Sequence, residues 1–257
     1  MTLTEYFAGL GRQVYSIIGC GGKTSLVWAL AQSNRNKKVL VTTTTHIQNP
    51  SSASGKYDFL ISDDTLPKQS QEIKTGITFA LNIDGASGHS GSLPLEALEK
   101  IIPFFDYVYI EADGSRSRPL KAWEHYEPVI TKSTTVTIGI LPLNTIGKIV
   151  NDETVHRLPL FTQLTGAQET ETIKHEHIYS VITGNNFFNN QKHKGLFDAA
   201  VGKKILFFNK SDAEKNIYDT YPNKIISMIN NFDQDLCYSI LSGSIINNTV
   251  SMLKGTM

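Results

Sequence analysis

Cysteine is scarce in this 257-residue chain: Cys20 and Cys237 stand far apart and in no metal-ligand spacing. That argues against a disulfide scaffold or a cysteine-built metal site and fits a reducing compartment. Net charge is missing too, since 24 Lys and Arg face 24 Asp and Glu. No global field therefore points to nucleic acid or to a membrane surface. No apolar run is long enough to span a bilayer. The opening Met-Thr-Leu-Thr-Glu-Tyr-Phe lacks the basic-then-apolar order of a signal peptide. The expectation is a soluble, cytoplasmic protein with one large domain over residues 1–257.

What is present is organised around Tyr15 to Leu26. An apolar run, Val14–Ile18, meets the turn Gly19-Cys20-Gly21-Gly22-Lys23-Thr24-Ser25, and Leu26, Val27, Leu30 and Ala31 follow at near-helical spacing. A buried strand feeding a glycine loop and then a helix is a recipe for holding phosphates. Glycines let backbone N–H groups converge on phosphate oxygens, and the helix N-terminus adds positive potential. Gly19 to Ser25 are thus candidate nucleotide-binding residues. Lys23 would reach the β/γ-phosphates and the Thr24 hydroxyl would sit on Mg²⁺. The full G-x-x-x-x-G-K-[ST] pattern wants glycine where Ile17 stands, so this loop is tighter. It resembles the G-T-x-G-K-T-T loop of the Mur ligase and folylpolyglutamate synthase families. The alternative is a plain glycine-rich turn with an exposed lysine.

The remaining elements alternate. A short entry helix is expected over 1–13, and a strand at Val39–Val41 runs into Thr42-Thr43-Thr44-Thr45-His46. Threonine suits a pleated edge, but strand carboxyl ends in a parallel sheet line the ligand crevice. Thr43 or Thr44 is therefore a candidate contact to the γ-phosphate or its metal, with His46 nearby. Short strands follow at Tyr57–Ile61 and Gly76–Leu81, then a small-residue loop, Gly85–Ser92, and a helix Leu95–Ile102.

Phe105–Ile110 reads as a buried strand ending in Glu111-Ala112-Asp113-Gly114. If the strand continues, alternation sends Glu111 and Asp113 to one side. Such a strand end supplies a Mg²⁺ ligand, here Glu111, and a carboxylate that orders the metal's water, here Asp113. The alternative is that either acid caps the next turn. Arg116, Arg118 and Lys121 follow at once, as transition-state charges or a grip on an anionic second substrate, or as a solvated basic loop. His125 and Glu127 are candidates to position a substrate.

Thr135–Leu141 is a further strand, and residues 151–164 read as partly helical, with His156 and Arg157 either facing the crevice or on the surface. Glu169–Thr183 reads as a helix with His175 and His177 on its surface. Lys204–Phe208 is a strand ending in Asn209-Lys210-Ser211-Asp212, before a helix at Ala213–Tyr218 and a last strand, Cys237–Leu241, that closes on Ser242-Gly243-Ser244. N-K-x-D resembles the guanine-reading signature of P-loop GTPases. In that reading Asp212 accepts the N1–H and 2-amino protons of guanine, while Asn209 and Lys210 fix the ring. The alternative is a polar turn.

Together I-I-G-C-G-G-K-T-S-L, V-L-V-T-T-T-T-H-I, E-A-D-G-S-R-S-R-P-L-K, H-Y-E-P-V-I, V-H-R and F-F-N-K-S-D look like one family. They resemble the selenium-dependent molybdenum hydroxylase accessory proteins, the YqeC family. The resemblance implies a P-loop-type protein that assists maturation of those hydroxylases, with a hydroxylase or its cofactor machinery as partner. The expected fold is α/β, three-layer, with a largely parallel sheet. The expected function is Mg²⁺-dependent binding and hydrolysis or transfer of a nucleoside triphosphate, GTP favoured over ATP. A small-molecule kinase or ligase, a nucleotide-gated chaperone, and a chalcogen-carrying Cys20 remain as rivals.

Overall fold

The structure is a computed structural model describing residues 1–45, 53–83, 90–212, 220–232, 236–237 and 239–255. His46, most of the Gly85–Ser92 loop and the helix expected at Ala213–Tyr218 lie outside the described residues.

In chain order the elements are α1 (Leu3–Gly9), β1 (Val14–Gly19), α2 (Lys23–Ser33), β2 (Lys38–Thr43), β3 (Phe59–Ile61), β4 (Gly76–Ala80), β5 (Asn82–Ile83) and β6 (Ser90–Gly91). They continue with α3 (Leu95–Ile101), β7 (Tyr107–Glu111), β8 (Leu120–Lys121), β9 (Val136–Pro142), β10 (Val155–His156) and α4 (Leu158–Thr165). Last come α5 (His175–Thr183), β11 (Lys203–Asn209), α6 (Tyr221–Phe232), β12 (Ser239–Ser244) and β13 (Thr249–Lys254). The main sheet runs β13-β12-β11-β9-β1-β7-β2-β4-β3. Its pairings are parallel except the β12–β13 hairpin.

Side-chain alternation divides the apolar residues into two cores, one on each face. Ile17, Val39, Val41, Tyr109, Ile138, Ile140 and Phe207 pack with Leu26, Val27 and Leu30 of α2 and with Leu3 and Phe7 of α1. Ile18, Leu40, Ile110, Leu141, Leu206 and Phe208 pack with apolar residues of α3, α4, α5 and α6. Neighbouring residues of one strand thus enter opposite cores, which makes three layers. A one-residue slip in β1 would exchange Ile17 for Ile18 and put both cores out of register.

The chain leaves β1 for β2, returns at β7 beside β1, then crosses to β9 on the other flank. That reversal places a topological switch point at the carboxyl end of β1, where an open parallel sheet receives its ligand. Among the described residues no helix is long and apolar enough to cross a membrane.

Several sequence-based expectations move. The final strand is one arm of a hairpin: Ser242-Gly243-Ser244 lies within β12, and β13 follows a turn over residues 245–248. The helix expected from Glu169 starts at His175. His177 is not on the surface: it is 1% exposed, its Nδ1 accepts from the Lys174 N–H, and its Nε2 lies 3.1 Å from Glu171. The spacing of two that separates it from His175 turns its ring inward against Phe161.

Candidate functional site

The turn between β1 and α2 bends through left-handed backbone at Gly19, Gly21 and Gly22, with φ of 93°, 76° and 148°. All three positions are closed to a side chain by space as well. A Cβ would lie 2.3 Å from the Ile140 carbonyl oxygen on Gly19, 2.3 Å from Pro142 Cγ on Gly21, and 2.5 Å from Asn209 Nδ2 on Gly22. Glycine is therefore required both for conformation and for close approach.

Helix α2 begins at Lys23 with no side-chain cap. Among the described residues, the N–H groups of Gly21, Gly22, Lys23, Thr24 and Ser25 have no backbone or side-chain acceptor. The Cys20 N–H is different, because it donates to the Ile140 carbonyl at 2.9 Å and belongs to the sheet. What remains is a set of orphan donors at a helix N-terminus, the arrangement that receives an anion.

Below the loop lies the acidic end of β7. Lys23 is buried, its Nζ donates to the Gly19 carbonyl at 2.7 Å, and it sits 3.4 Å from Asp113 Oδ1 and 3.8 Å from Glu111 Oε1. Both acids thus reach one side, as the alternation requires. The Thr24 hydroxyl donates to Glu111 Oε2 at 2.8 Å. Two carboxylates share one ammonium here. Burial works to lower the Lys23 pKa, but the charges of Asp113 and Glu111 outweigh it and hold the ammonium above its ordinary value. Glu111, the more distant acid, is pushed up by burial despite Lys23 and the Thr24 hydroxyl.

Asp113 is fully enclosed. Its Oδ2 accepts from the Gly19 N–H at 3.1 Å and from Trp123 Nε1 at 2.7 Å, and Lys121 Nζ lies 3.3 Å away. Its Oδ1 is buried with no well-aligned hydrogen bond, although Lys23 is close. Lys121 has no exposed surface. Its Nζ donates to the Gly114 carbonyl at 2.5 Å and to Glu127 Oε2 at 3.1 Å, and lies 5.6 Å from the centre of the Trp123 ring. Arg157 grips both oxygens of Glu127. Burial alone would raise the Glu127 pKa, but Arg157 and Lys121 reverse this and bring it to about 2. The two-residue strands β8 and β10 pair in parallel, setting His156 opposite Lys121. Burial, then Arg157, Lys121 and Arg116, lower the His156 pKa to about 4.

Other candidates are placed as follows. The Thr43 hydroxyl donates to the Glu111 carbonyl at 2.9 Å and the Thr44 hydroxyl to the Val129 carbonyl at 2.6 Å, so both brace the loop that follows β7. Arg116 is exposed and, like Ser117, left-handed, with φ of 48° and 61°. Two such non-glycine residues in succession store about 1–2 kcal/mol each. Arg118 turns to the Asp152 carbonyl, and His125 is 89% exposed. Asn209 ties two loops together: its Nδ2 donates to the Gly21 carbonyl at 2.8 Å, and its Oδ1 accepts from the Ile245 N–H at 3.1 Å. Lys210 is left-handed, and the exposed Asp212 accepts from Asn247 Nδ2 at 2.8 Å. Cys20 is fully buried, and burial above all pushes its thiol up to about 12.

Sequence reasoning missed Trp123 as the second donor to Asp113. The usable signal was that a buried indole needs an acceptor, and Asp113 lies on the preceding strand end. The donor set suits Mg²⁺, which takes one or two carboxylates beside substrate phosphates. Thr24 and Glu111 already stand together, and Oδ1 of Asp113 has acceptor capacity to spare. No cluster of three or more His, Cys, Asp or Glu among the described residues would hold a metal without phosphate.

A model of the YqeC protein family matches residues 15–159. The chain is 33% identical over 174 residues to the uncharacterized protein YqeC of Escherichia coli (strain K12), covering 66% of this chain and 67% of that protein. No solved structure gives a significant match. The family span takes in the glycine loop, the acidic strand end, Lys121, Glu127 and Arg157, and it stops before Asn209.

Proposed function

The chain belongs to the YqeC family, and we propose that it binds a nucleoside triphosphate with Mg²⁺ at the head of α2 and hydrolyses or transfers its terminal phosphoryl group. The observation that carries this reading is the convergence of uncapped α2 amides, the Lys23 ammonium and the Thr24–Glu111 pair at one strand switch point. The amides from Gly21 to Ser25 donate to phosphate oxygens, and Lys23 moves from the acids to the β/γ-phosphates. Thr24 and Glu111 are the residues that would hold Mg²⁺, which supplies charge neutralisation on the β- and γ-phosphates. Asp113 keeps the loop in shape through the Gly19 N–H and, with no exposed surface, serves as a buried partner of Lys23. Arg116 and Arg118 add positive charge for the transition state.

Guanine is the favoured base. Asn209 joins the end of β11 to the phosphate loop, so a base held there is in register with the phosphates. The Asp212 carboxylate is exposed and accepts from Asn247 Nδ2, and in this reading it takes instead the adjacent N1–H and 2-amino donors of guanine, a pair that adenine lacks. Transfer to a small acceptor would need a pocket walled by Arg116, Arg118 and His125. The 89% exposure of His125 and the turn of Arg118 to Asp152 favour hydrolysis instead. The family resemblance makes a selenium-dependent molybdenum hydroxylase, or its cofactor machinery, the proposed partner of this nucleotide cycle.

The test is calorimetric titration of Mg²⁺-GTP, Mg²⁺-ATP and Mg²⁺-CTP into the full chain and its Lys23→Ala and Asp212→Ala variants. GTP should bind most tightly, Lys23→Ala should abolish binding, and Asp212→Ala should erase the preference alone. Binding of ATP or CTP in preference to GTP would reduce N-K-x-D to a turn. Absence of binding to the wild type would remove the nucleotide reading.

A further inference from the structure

Asp113 has no exposed surface and lies between two ammonium groups, Lys23 at 3.4 Å from Oδ1 and Lys121 at 3.3 Å from Oδ2. The two cations differ in their freedom. Lys23 is held by the Gly19 carbonyl and the acid pair, beneath the orphan amides of its own helix. Lys121 is fixed from the far side. The Gly114 carbonyl and Glu127 hold its ammonium, Arg157 holds Glu127 by both oxygens, and β8 is locked to β10. An alternating chain therefore runs inward from Arg157 through Glu127, Lys121, Asp113 and Lys23 to Glu111.

That order has a consequence for ligand binding, which rests on the nucleotide reading above. When Lys23 leaves for a phosphate, Asp113 loses one of its two cations while still buried. A buried carboxylate without a compensating charge is strongly disfavoured. Without a second cation, Asp113 would hold Lys23 back from the ligand. We propose that Lys121 is a standing counter-ion for Asp113 that frees Lys23 to engage phosphate, so that Lys121 sets nucleotide affinity without touching nucleotide. Lys121 is thus a positioning residue. The Gly19 N–H and Trp123 Nε1–H assist it, because their hydrogen bonds to Oδ2 persist when Lys23 departs. The scheme also gives a reason for a lysine with no exposed surface five residues after the exposed Arg116.

Calorimetry of Mg²⁺-GTP on the full-length wild type, Lys121→Met, Asp113→Asn and the double variant tests this. Asn retains an acceptor for Gly19 and Trp123 and removes the charge. Lys121→Met should weaken binding by at least about tenfold, and the added Asp113→Asn should recover most of that loss, as coupled neighbours do in a double-mutant cycle. Lys121→Met binding within about twofold of wild type, or a double variant as weak as Lys121→Met, would overturn the proposal. If Lys121→Met fails to fold, Asp113→Asn and the double variant decide. They should bind alike, since neither has a carboxylate to compensate, and a further tenfold loss in the double would overturn the idea. A wild type that binds no nucleotide refutes the underlying reading instead, and that outcome is visible in the first titration.

Discussion

Glu127→Gln removes one charge from a place where Lys121 and Arg157 both depend on it, while the amide keeps the volume. In the folded chain the Glu127 carboxyl is brought from 4.5 to about 2, burial being overridden by Arg157 and Lys121. A fall of about 2.5 in pKa corresponds to ~3.4 kcal/mol. The side chain retains 14% exposure, so solvent screening trims the figure to about 2 kcal/mol. The sign follows from linkage: a lowered folded pKa stabilises fully above the unfolded value and loses that contribution as pH falls through the folded value. Urea unfolding at pH 7 should therefore show Glu127→Gln less stable by about 2 kcal/mol, and by pH 3 the gap should shrink to about half. A difference below about 0.5 kcal/mol at pH 7, or one that does not change between pH 7 and 3, would refute the argument that the paired charge is what stabilises.

Gly22→Ala places a Cβ 2.5 Å from Asn209 Nδ2 at a φ of 148°. It should cost about 1–3 kcal/mol in urea unfolding and weaken nucleotide binding as well. Trp123→Phe removes the donor to Asp113 Oδ2 in a buried site, and a loss of about 1–3 kcal/mol in unfolding free energy is expected. Cys20, buried with its thiol pushed up to about 12, should resist a disulfide reagent at pH 8 until the chain is unfolded. Labelling of Cys20 in the native chain at the rate of a free thiol would restore the chalcogen-carrier idea.

The fold was largely legible because its signals are local. Val14–Ile18 before glycines and Phe105–Ile110 before acids declare strands whatever they pair with, and alternation alone puts Glu111 and Asp113 on one side. Sheet order carries no such local mark. Nothing near Val14 says that β7 and β9 flank β1, although that is what sets Asp113 against Gly19. The hairpin strand β13 was missed because Ser242-Gly243-Ser244 reads as an ending. Ser244 instead closes β12, and the turn beyond it leaves Ile246 89% exposed. The hardest residue to read was Lys121. Counted with Arg116 and Arg118, it looks like one more solvated cation, and sequence gives no reason to separate them. What separates them is distance in the chain. Arg116 lies in the turn just after β7, whereas Lys121 has come back along β8 to meet Asp113 and Glu127, six to eight residues from either side of itself. Burying an ammonium is tolerable only where such partners converge. A lysine in a basic loop should therefore be judged by the acids that its strand can reach. By that criterion Lys121 belongs with the phosphate loop, and Arg116 with whatever approaches from solvent.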